Sequence, residues 1–150
     1  MEFLKRKSPR ISHYDYSTQN YYFITICTHA KKCIFGEPMM LNQFGNIAKR
    51  NIEAIQAHYD KIHIEKYVVM PNHVHFILVL KENCVIRADQ VIGQYKSGVT
   101  RQIRKIAPST EVWQRSFYDH IIRNQVQYEK IWRYIENNPL RWQEECFFVE

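Results

Sequence analysis

One stretch of the chain, residues 70–80, constrains its fold more than any other. It reads Met-Pro-Asn-His-Val-His-Phe-Ile-Leu-Val-Leu, so two histidines open a long apolar run. Such a run is typical of a strand, and the Pro-Asn pair before it favours a tight turn from a preceding strand. Because strand side chains alternate between two faces, His73 and His75 should point the same way, roughly 7 Å apart along the strand. The two imidazoles therefore form a candidate two-point metal site.

The rest of the chain alternates between strand and helix patterns. Aromatic, β-branched and alternating residues predict four strands, over 21–28, 62–70, 73–80 and 112–122. Apolar residues at three- and four-residue steps predict three helices, over 43–59, 89–106 and 124–138. Asn42 and Asn124 are the candidate N-caps, and Pro139 should stop the last helix near Asn138.

The resulting order is β-α-β-β-α-β followed by a terminal helix. This order predicts an α+β fold of the ferredoxin-like type, with a four-stranded antiparallel sheet and both crossover helices on one face. The usual strand order of that fold would put the histidines on a central strand. A chain of 150 residues fits a single domain, 1–150, and its basic, aperiodic residues 1–20 are expected to form an N-terminal arm.

The charge balance favours a polyanionic partner. Lys and Arg number 21 against 15 Asp and Glu, which gives a formal charge of +6, and 14% of the residues are aromatic. Rings among basic residues can stack on unpaired bases, although rings also fill cores and sheets. The four cysteines have no Cys-x-x-Cys spacing and no apolar stretch is long enough to span a bilayer, so we expect a reducing cytoplasm and no membrane partner.

The terminal helix supplies a second candidate chemical group. Tyr134 and Asn138 are four residues apart, so they lie on one helical face as a candidate nucleophile and a candidate third ligand. Each signal alone has a simpler interpretation. Histidine pairs in sheets are often satisfied by hydrogen bonds, a helical tyrosine is often a core residue, and Asn138 is most simply a helix C-cap. Their convergence on one chemistry favours the functional interpretation.

That chemistry is attack on a phosphodiester. Two imidazoles and an amide oxygen would hold a divalent metal, Mg2+ or Mn2+, with open positions for water and phosphate oxygens. A phenol is a poor nucleophile at neutral pH because its ordinary pKa is about 10, and a cation shared with the phosphate would favour the phenolate. A covalent phosphotyrosine preserves the free energy of the ester, so a broken strand can be rejoined without ATP.

Six segments carry a resemblance to a known family. They are 14–17 (Tyr-Asp-Tyr-Ser), 22–28 (Tyr-Phe-Ile-Thr-Ile-Cys-Thr), 70–75 (Met-Pro-Asn-His-Val-His), 92–97 (Ile-Gly-Gln-Tyr-Lys-Ser), 113–123 (Trp-Gln-Arg-Ser-Phe-Tyr-Asp-His-Ile-Ile-Arg) and 134–139 (Tyr-Ile-Glu-Asn-Asn-Pro). In this order they strongly resemble the REP-associated tyrosine transposases, which are single-tyrosine HUH transposases of the insertion-sequence-200 type. The resemblance covers roughly residues 10–141.

The resemblance implies metal-dependent cleavage and rejoining of single-stranded DNA at sites marked by small hairpins, through a 5′-phosphotyrosine link and a free 3′-hydroxyl. By position, His73 and His75 match the two HUH ligands. Tyr134 matches the catalytic tyrosine and Asn138 the third ligand. The wider superfamily usually has Gln four residues after the tyrosine, and Asn is similar to the REP-associated branch.

Tyr118 is the alternative nucleophile, because it lies in a strong local motif. A strand position would fix it in the sheet, whereas Tyr134 has a ligand-capable partner one turn later and matches the family position. We therefore assign the nucleophile to Tyr134. Phe117, Tyr118 and His120 are expected to build the sheet around the site.

Basic residues in the arm, on the second helix and beside the fourth strand are the candidates for DNA contacts. They are Lys5, Arg6, Lys7, Arg10, Lys96, Arg101, Arg104, Lys105, Arg115 and Arg123. As a group they would follow a hairpin backbone, with phosphate contacts giving affinity and base contacts giving sequence choice. For any one of them the alternative is an ordinary solvated surface.

The sequence therefore favours a DNA strand transferase that acts on single-stranded DNA with hairpins, as a monomer or a homodimer. A catalytically silent hairpin-binding protein on the same fold explains the basic surface equally well, but it would not need the intact set of two histidines, tyrosine and asparagine. A replication-initiating nuclease of the broader HUH type is disfavoured, because no helicase region is attached and the single tyrosine comes late.

Overall fold

The computed structural model describes residues 20–142. Its strands are, in chain order, β1 (Asn20–Cys27), β2 (Gly36–Glu37), β3 (Met40–Leu41), β4 (Ile62–Met70), β5 (His73–Leu80) and β6 (Tyr118–Ile122). Its helices are α1 (Gln43–His58), α2 (Ala88–Ile106) and α3 (Gln125–Asn137), with short 3-10 turns at His29–Lys31 and Pro139–Arg141. The basic arm predicted over residues 1–20, with Lys5, Arg6, Lys7 and Arg10, lies outside the described residues apart from Asn20.

The four longer strands form one antiparallel sheet in the order β4-β5-β1-β6. The histidine strand β5 is central, as predicted. Pro71 and Asn72 form a two-residue connection from β4, because Met70 pairs directly with His73. On the other side of β5, Thr25 of β1 lies opposite His75. This register places the two histidines where β5 begins and β1 ends.

Helices α1 and α2 cover one face of the sheet, which we call the α1/α2 face, and the two crossover helices therefore lie together as predicted. Alternate residues of β1 and β5 point to this face and are fully buried or nearly so: Tyr22, Ile24, Ile26, Val74, Phe76, Leu78 and Leu80. They pack against Ile52 of α1 and Val99 of α2. Burying each such apolar side chain contributes roughly 1.5–3 kcal/mol, so this face holds most of the stabilising core.

Helix α3 covers the opposite face, which we call the α3 face. A smaller core there joins residues of three strands to the helix: Phe23, Ile77, Val79, Ile122, Ile131, Tyr134 and Ile135. His73 and His75 alternate along β5 with Val74 and Phe76, so both histidines lie on the α3 face. The face that α3 takes therefore decides whether its tyrosine meets the histidines.

The helix ends follow the residues that the sequence marks. The side chain of Asn42 accepts a hydrogen bond from the backbone N–H of Gly45 at 2.9 Å. Asn124 caps α3 in the same way through Gln127, also at 2.9 Å. Helix α3 ends at Asn137, and Pro139 opens the following 3-10 turn, although Asn138 between them keeps helical dihedral angles, φ −55° and ψ −47°.

Two local features differ from the sequence prediction. The fourth strand is confined to Tyr118–Ile122 instead of extending from residue 112, because residues 112–117 cross the end of the sheet and make only a bridge between Trp113 and Thr28. Their β-branched and aromatic side chains serve packing: Val112 is buried, and the Trp113 indole donates to the carbonyl of Lys96 at 3.2 Å. The second difference is the short β2–β3 hairpin, which the sequence patterns do not predict.

Candidate active site

Histidines 73 and 75 lie side by side in the interior of the protein. His73 is 0% exposed and His75 is 1% exposed, and their ring centroids are 4.6 Å apart with the planes at 72°. The ring of Phe23 stacks on His75 at 5.2 Å. Neighbouring strands and α3 therefore hold both imidazoles in fixed orientations.

A hydrogen bond defines which nitrogen of His73 is free. Its Nδ1 lies 2.8 Å from Oδ1 of Asn72, and the Asn72 amide nitrogen donates to the carbonyl of Lys31 at 3.2 Å. The amide oxygen of Asn72 therefore faces the ring and accepts from Nδ1–H. That tautomer leaves a lone pair on Nε2, as in metal-binding histidines whose other nitrogen is held by a protein acceptor.

His75 has an equivalent partner on the neighbouring strand. Its Nδ1 lies 2.9 Å from the hydroxyl oxygen of Thr25, which is 1% exposed and directly opposite in the β1–β5 register. When Nδ1 carries the hydrogen, this contact also leaves Nε2 as an acceptor. The sequence marks Asn72 only as a turn residue and assigns no role to Thr25. The pairing of β1 with the histidine strand is the signal that could have identified Thr25.

Helix α3 brings the tyrosine and the asparagine to the histidines. The ring of Tyr134 lies 5.4 Å from that of His75, at 65°, and also contacts Phe23 at 6.0 Å. Asn138 is 1% exposed, and its amide nitrogen donates to the backbone carbonyl of Tyr134 at 3.4 Å. The four residues predicted from the sequence therefore meet on the α3 face, within one chain.

Three buried acceptor atoms of this cluster have no hydrogen-bond partner among residues 20–142: Nε2 of His73, Nε2 of His75 and Oδ1 of Asn138. Leaving such an atom buried and unpaired costs about 1–3 kcal/mol, so native proteins seldom keep several together. Two imidazole nitrogens and one amide oxygen are a donor set suited to a divalent transition metal or Mg2+. No group of three or more His, Cys, Asp or Glu that could hold a metal occurs in the described part of the chain, so a metal on the two histidines would need a ligand of another kind, such as the amide of Asn138.

Burial also keeps the two imidazoles neutral. It lowers the pKa of His73 from 6.5 to about 4, and the nearby Asn138 side chain opposes only part of that change. Burial, and next the neighbouring His73, lower the pKa of His75 well below 6.5. Metal ligation requires neutral imidazole, so at pH 7 neither ring must lose a proton to bind.

The alternative nucleophile, Tyr118, lies farther from the histidines. It opposes Thr25 on β1, so it faces the same side of the sheet two strands away from β5, about 10 Å in the hydrogen-bonding direction. His120, also on β6, lies opposite Phe23 of β1. Both belong to the sheet beside the site, as the sequence predicts.

Four of the predicted DNA-contacting residues, Lys96, Arg101, Arg104 and Lys105, line an open groove of about 950 Å³ between the C-terminal half of α2 and residues 108–114. We call it the basic groove and define it by Arg101, Arg104 and Lys105, all exposed. Arg104 also lines the groove and uses its Nε to donate to the carbonyl of Thr110 at 2.9 Å. The groove lies at the end of the sheet where β1 ends and β5 begins, on the α1/α2 face.

Lys96 and the remaining predicted basic residues differ from the three that define the basic groove. The Lys96 ammonium donates to the carbonyls of Gln114 at 2.7 Å and Arg115 at 3.4 Å, and burial lowers its pKa, so it holds the loop after α2. Arg115 is exposed at the histidine end of the sheet. Arg123 follows β6 at the opposite end, about 20 Å along the strands from His73. The structure therefore separates Arg123 from the other candidates among residues 20–142.

None of the helices within residues 20–142 is long and apolar enough to cross a membrane.

Comparisons with known proteins agree with this geometry. The family model described as "Transposase IS200 like" matches residues 16–138. A protein of Haemophilus influenzae strain Rd, described as uncharacterized, is 36% identical over 169 aligned positions that cover 97% of this chain and 94% of that protein.

Two solved structures share the fold. The structure of a REP-associated tyrosine transposase bound to a REP hairpin gives a TM-score of 0.61 at 20% identity, over 89% of this chain and 73% of that one. The crystal structure of a candidate transposase from Deinococcus radiodurans R1 gives 0.56 at 18% identity, over 83% and 93% of the two chains. Because the family model spans most of its length, this chain belongs to the IS200-like transposase family of DNA-processing enzymes.

Proposed function

We propose that this protein is a metal-dependent single-stranded DNA endonuclease and strand transferase that acts at hairpin-marked sites through a 5′-phosphotyrosine intermediate. The observation that carries the proposal is the set of three unpaired, buried acceptor atoms of His73, His75 and Asn138, beside the ring of Tyr134. The resemblance to REP-associated transposases assigns the same residues to the same chemistry. The neighbour whose structure includes a REP hairpin supports a hairpin substrate.

In this proposal the protein supplies ligands, a nucleophile and their relative positions. His73 and His75 would hold the metal through Nε2, and Asn138 would hold it through Oδ1. When bound, a divalent ion, Mg2+ or Mn2+, would polarise the scissile phosphate and favour the phenolate of Tyr134. Asn72 and Thr25 keep the two imidazoles in the orientation that presents Nε2.

The bond changes balance without any other reactant. The Oη of Tyr134 loses its proton to solvent and forms a bond to phosphorus while the bond from phosphorus to the 3′-oxygen breaks. The 3′-oxygen takes up a proton and leaves as a free hydroxyl, and the 5′ end stays on the protein. Attack by another 3′-hydroxyl on the phosphotyrosine reverses these changes and releases Tyr134.

DNA affinity would come from the basic surface. The basic groove and Arg115 lie at the histidine end of the sheet, so a hairpin whose backbone follows them can send its single-stranded end around the sheet edge to the α3 face. Phosphate contacts of this kind give affinity with a strong dependence on salt.

The direct test is a labelled library of single-stranded hairpins, incubated with the protein and Mg2+ or Mn2+ and separated on denaturing gels. We expect a covalent protein–DNA adduct that depends on the metal and maps by peptide analysis to Tyr134. Hairpin binding without any adduct would instead indicate the catalytically silent hairpin-binding protein. An adduct at Tyr118 would contradict the assignment of the nucleophile.

A further inference from the structure

The edge strand β4 contains a bulge that changes which of its residues face α3. Its pairing with β5 shifts between Ile64 and Lys66, so Glu65 is an extra residue in the ladder. Before the bulge Ile62 and Ile64 pack toward the α1/α2 face, and after it Tyr67 and Val69 do so. The facing pattern therefore changes phase at this point.

Two consecutive residues point to α3 as a result. The hydroxyl of Tyr128 donates to the Glu65 carboxylate at 2.5 Å. The Lys66 ammonium forms an ion pair with Glu136 and lies 4.0 Å from the centre of the Trp132 ring. A regular strand would have turned one of the two side chains to the opposite face. We call these contacts of Glu65 and Lys66 the β4 tether.

The partners of the β4 tether form a row along α3. Tyr128, Trp132 and Glu136 are spaced by four residues, so they follow one side of the helix over about 12 Å. Glu136 is two residues from Tyr134 and two from Asn138. The row therefore fixes the helix both near its start and at the turn that carries the chemical groups.

The apolar contacts of α3 do not supply the same precision. Ile131 and Ile135 pack on Phe23 and Ile77, and apolar contacts of this kind are non-directional. The Lys66 contacts are directional, and the Lys66 side chain is 21% exposed whereas that of Glu136 is 52% exposed, so solvent screens the ion pair only in part. Such contacts add a preferred rotation and axial position to the apolar packing of the helix.

We infer that Lys66 is a positioning residue, which holds Glu136 and Trp132 so that α3 places Asn138 and Tyr134 on the histidine pair of its own chain. The role that this inference gives to the histidine pair rests on the proposed function. The tether itself is a property of the fold, and it can be measured without DNA.

The experiment compares charge-exchanged variants of the full-length protein. Hydrogen exchange measures opening of α3, and calorimetry measures the affinity for Mn2+. Lys66→Glu and Glu136→Lys should each speed amide exchange in the last two turns of α3 and weaken Mn2+ binding, both about fivefold, as expected for one partly buried ion pair with a cation–π contact. The double variant should recover the part of both effects that comes from the ion pair, and Lys66→Arg should leave both values unchanged.

Lys130→Glu is the matched control. Lys130 is exposed on the same helix and has no ion pair with another described residue, so the same change of charge there should alter neither measurement. In an Asn138→Ala background, Lys66→Glu should weaken Mn2+ binding no further, because its effect passes through Asn138. If Lys66→Glu does not fold, Lys66→Met removes the charge and keeps the aliphatic stem.

Unchanged exchange in α3 of both Lys66→Glu and Lys66→Met would overturn the inference. So would faster exchange of equal size in α1 and β5, which would indicate a general effect on stability. If the natural protein binds no Mn2+, the proposed function fails as a metal-dependent reaction, while the exchange measurements still decide whether Lys66 positions α3.

Discussion

The α1/α2 face and the α3 face of the sheet use alternate residues of the same strands. On the first, β5 contributes Val74, Phe76, Leu78 and Leu80, and the buried hydroxyl of Tyr95 has a partner, the carbonyl of Ala48 at 3.0 Å. On the second, β5 begins with two histidines, and three acceptor atoms of the candidate site have no partner among residues 20–142. The large apolar core therefore stabilises the fold and offsets the cost of unpaired polar groups on the other face.

The largest effect on formation of the covalent adduct is expected when only the nucleophilic oxygen is removed. Tyr134→Phe should keep the fold, the metal affinity and the DNA affinity but form no covalent adduct, because only the phenol oxygen is consumed. Tyr118→Phe, on the same face of the sheet, should still form the adduct. Denaturing gels check both, and an adduct in the Tyr134→Phe variant would remove the role that we propose for this residue.

Removing a ligand tests the α3 face as a metal site. His73→Ala or His75→Ala should abolish cleavage and leave hairpin affinity within about tenfold, roughly 1.4 kcal/mol, because phosphate contacts dominate binding. Asn138→Ala should cleave at an intermediate rate, since two histidines retain some metal but hold the phosphate less precisely. Full cleavage by the double histidine variant in metal-depleted buffer would rule out the metal role.

Stability measurements compare the two faces directly. Leu78→Ala on the α1/α2 face should lower the free energy of unfolding by about 2–5 kcal/mol, because it leaves a cavity in a fully buried position. On the α3 face, replacing a hydrogen-bonded pair together, Thr25→Val with His75→Leu, should leave the metal-free protein as stable or up to about 1 kcal/mol more stable. Denaturant unfolding in the presence of a chelator measures the free energy of unfolding of both variants. If the Thr25→Val, His75→Leu variant lost as much stability as Leu78→Ala, the proposed difference between the two faces would be wrong.

Acid should destabilise the metal-free protein through the α3 face. The folded-state pKa of His73 is lowered to about 4 from 6.5, so between these values the unfolded chain takes up a proton that the folded protein does not. The free energy of unfolding should therefore fall as pH drops from 6.5 to 4, by about 3 kcal/mol for His73. His75, whose pKa is also lowered, should add to this loss of stability in acid. The Thr25→Val, His75→Leu variant should therefore lose less stability between pH 6.5 and 4 than the natural protein. An identical dependence of stability on pH in the two proteins would contradict this expectation.

The smallest effects are expected on the outer surface of the α1/α2 layer. If Arg101, Arg104 and Lys105 contact phosphates, replacing any one with Ala should flatten the slope of log affinity against log salt by about 0.7–0.9. Arg123→Ala, at the far end of the sheet, is the matched control and should leave the slope unchanged. Equal slopes for all four variants would make the basic groove an ordinary solvated surface.

The sequence predicts the elements and the faces of the site residues because both depend on local periodicity, whereas only the family resemblance implies that these faces meet. A period of two puts His73 and His75 on one face, and a spacing of four puts Tyr134 and Asn138 on another. The β4 bulge was not predicted, although the consecutive charged residues Glu65 and Lys66 interrupt the alternation of the strand. The role of Thr25 appears only when β1 pairs with β5, because its partner His75 is 50 residues away in the sequence.

The indole of Trp142 lies beside the candidate site and offers a way to observe it by fluorescence. Trp142 stacks on His73 with ring centroids 6.4 Å apart, whereas Trp113 packs on Phe35 and Trp132 lies under Lys66. These are the three tryptophans of the chain. The protein therefore carries its own fluorescent reporter, because a paramagnetic ion held by the histidines would quench the emission of Trp142 far more than that of the other two indoles.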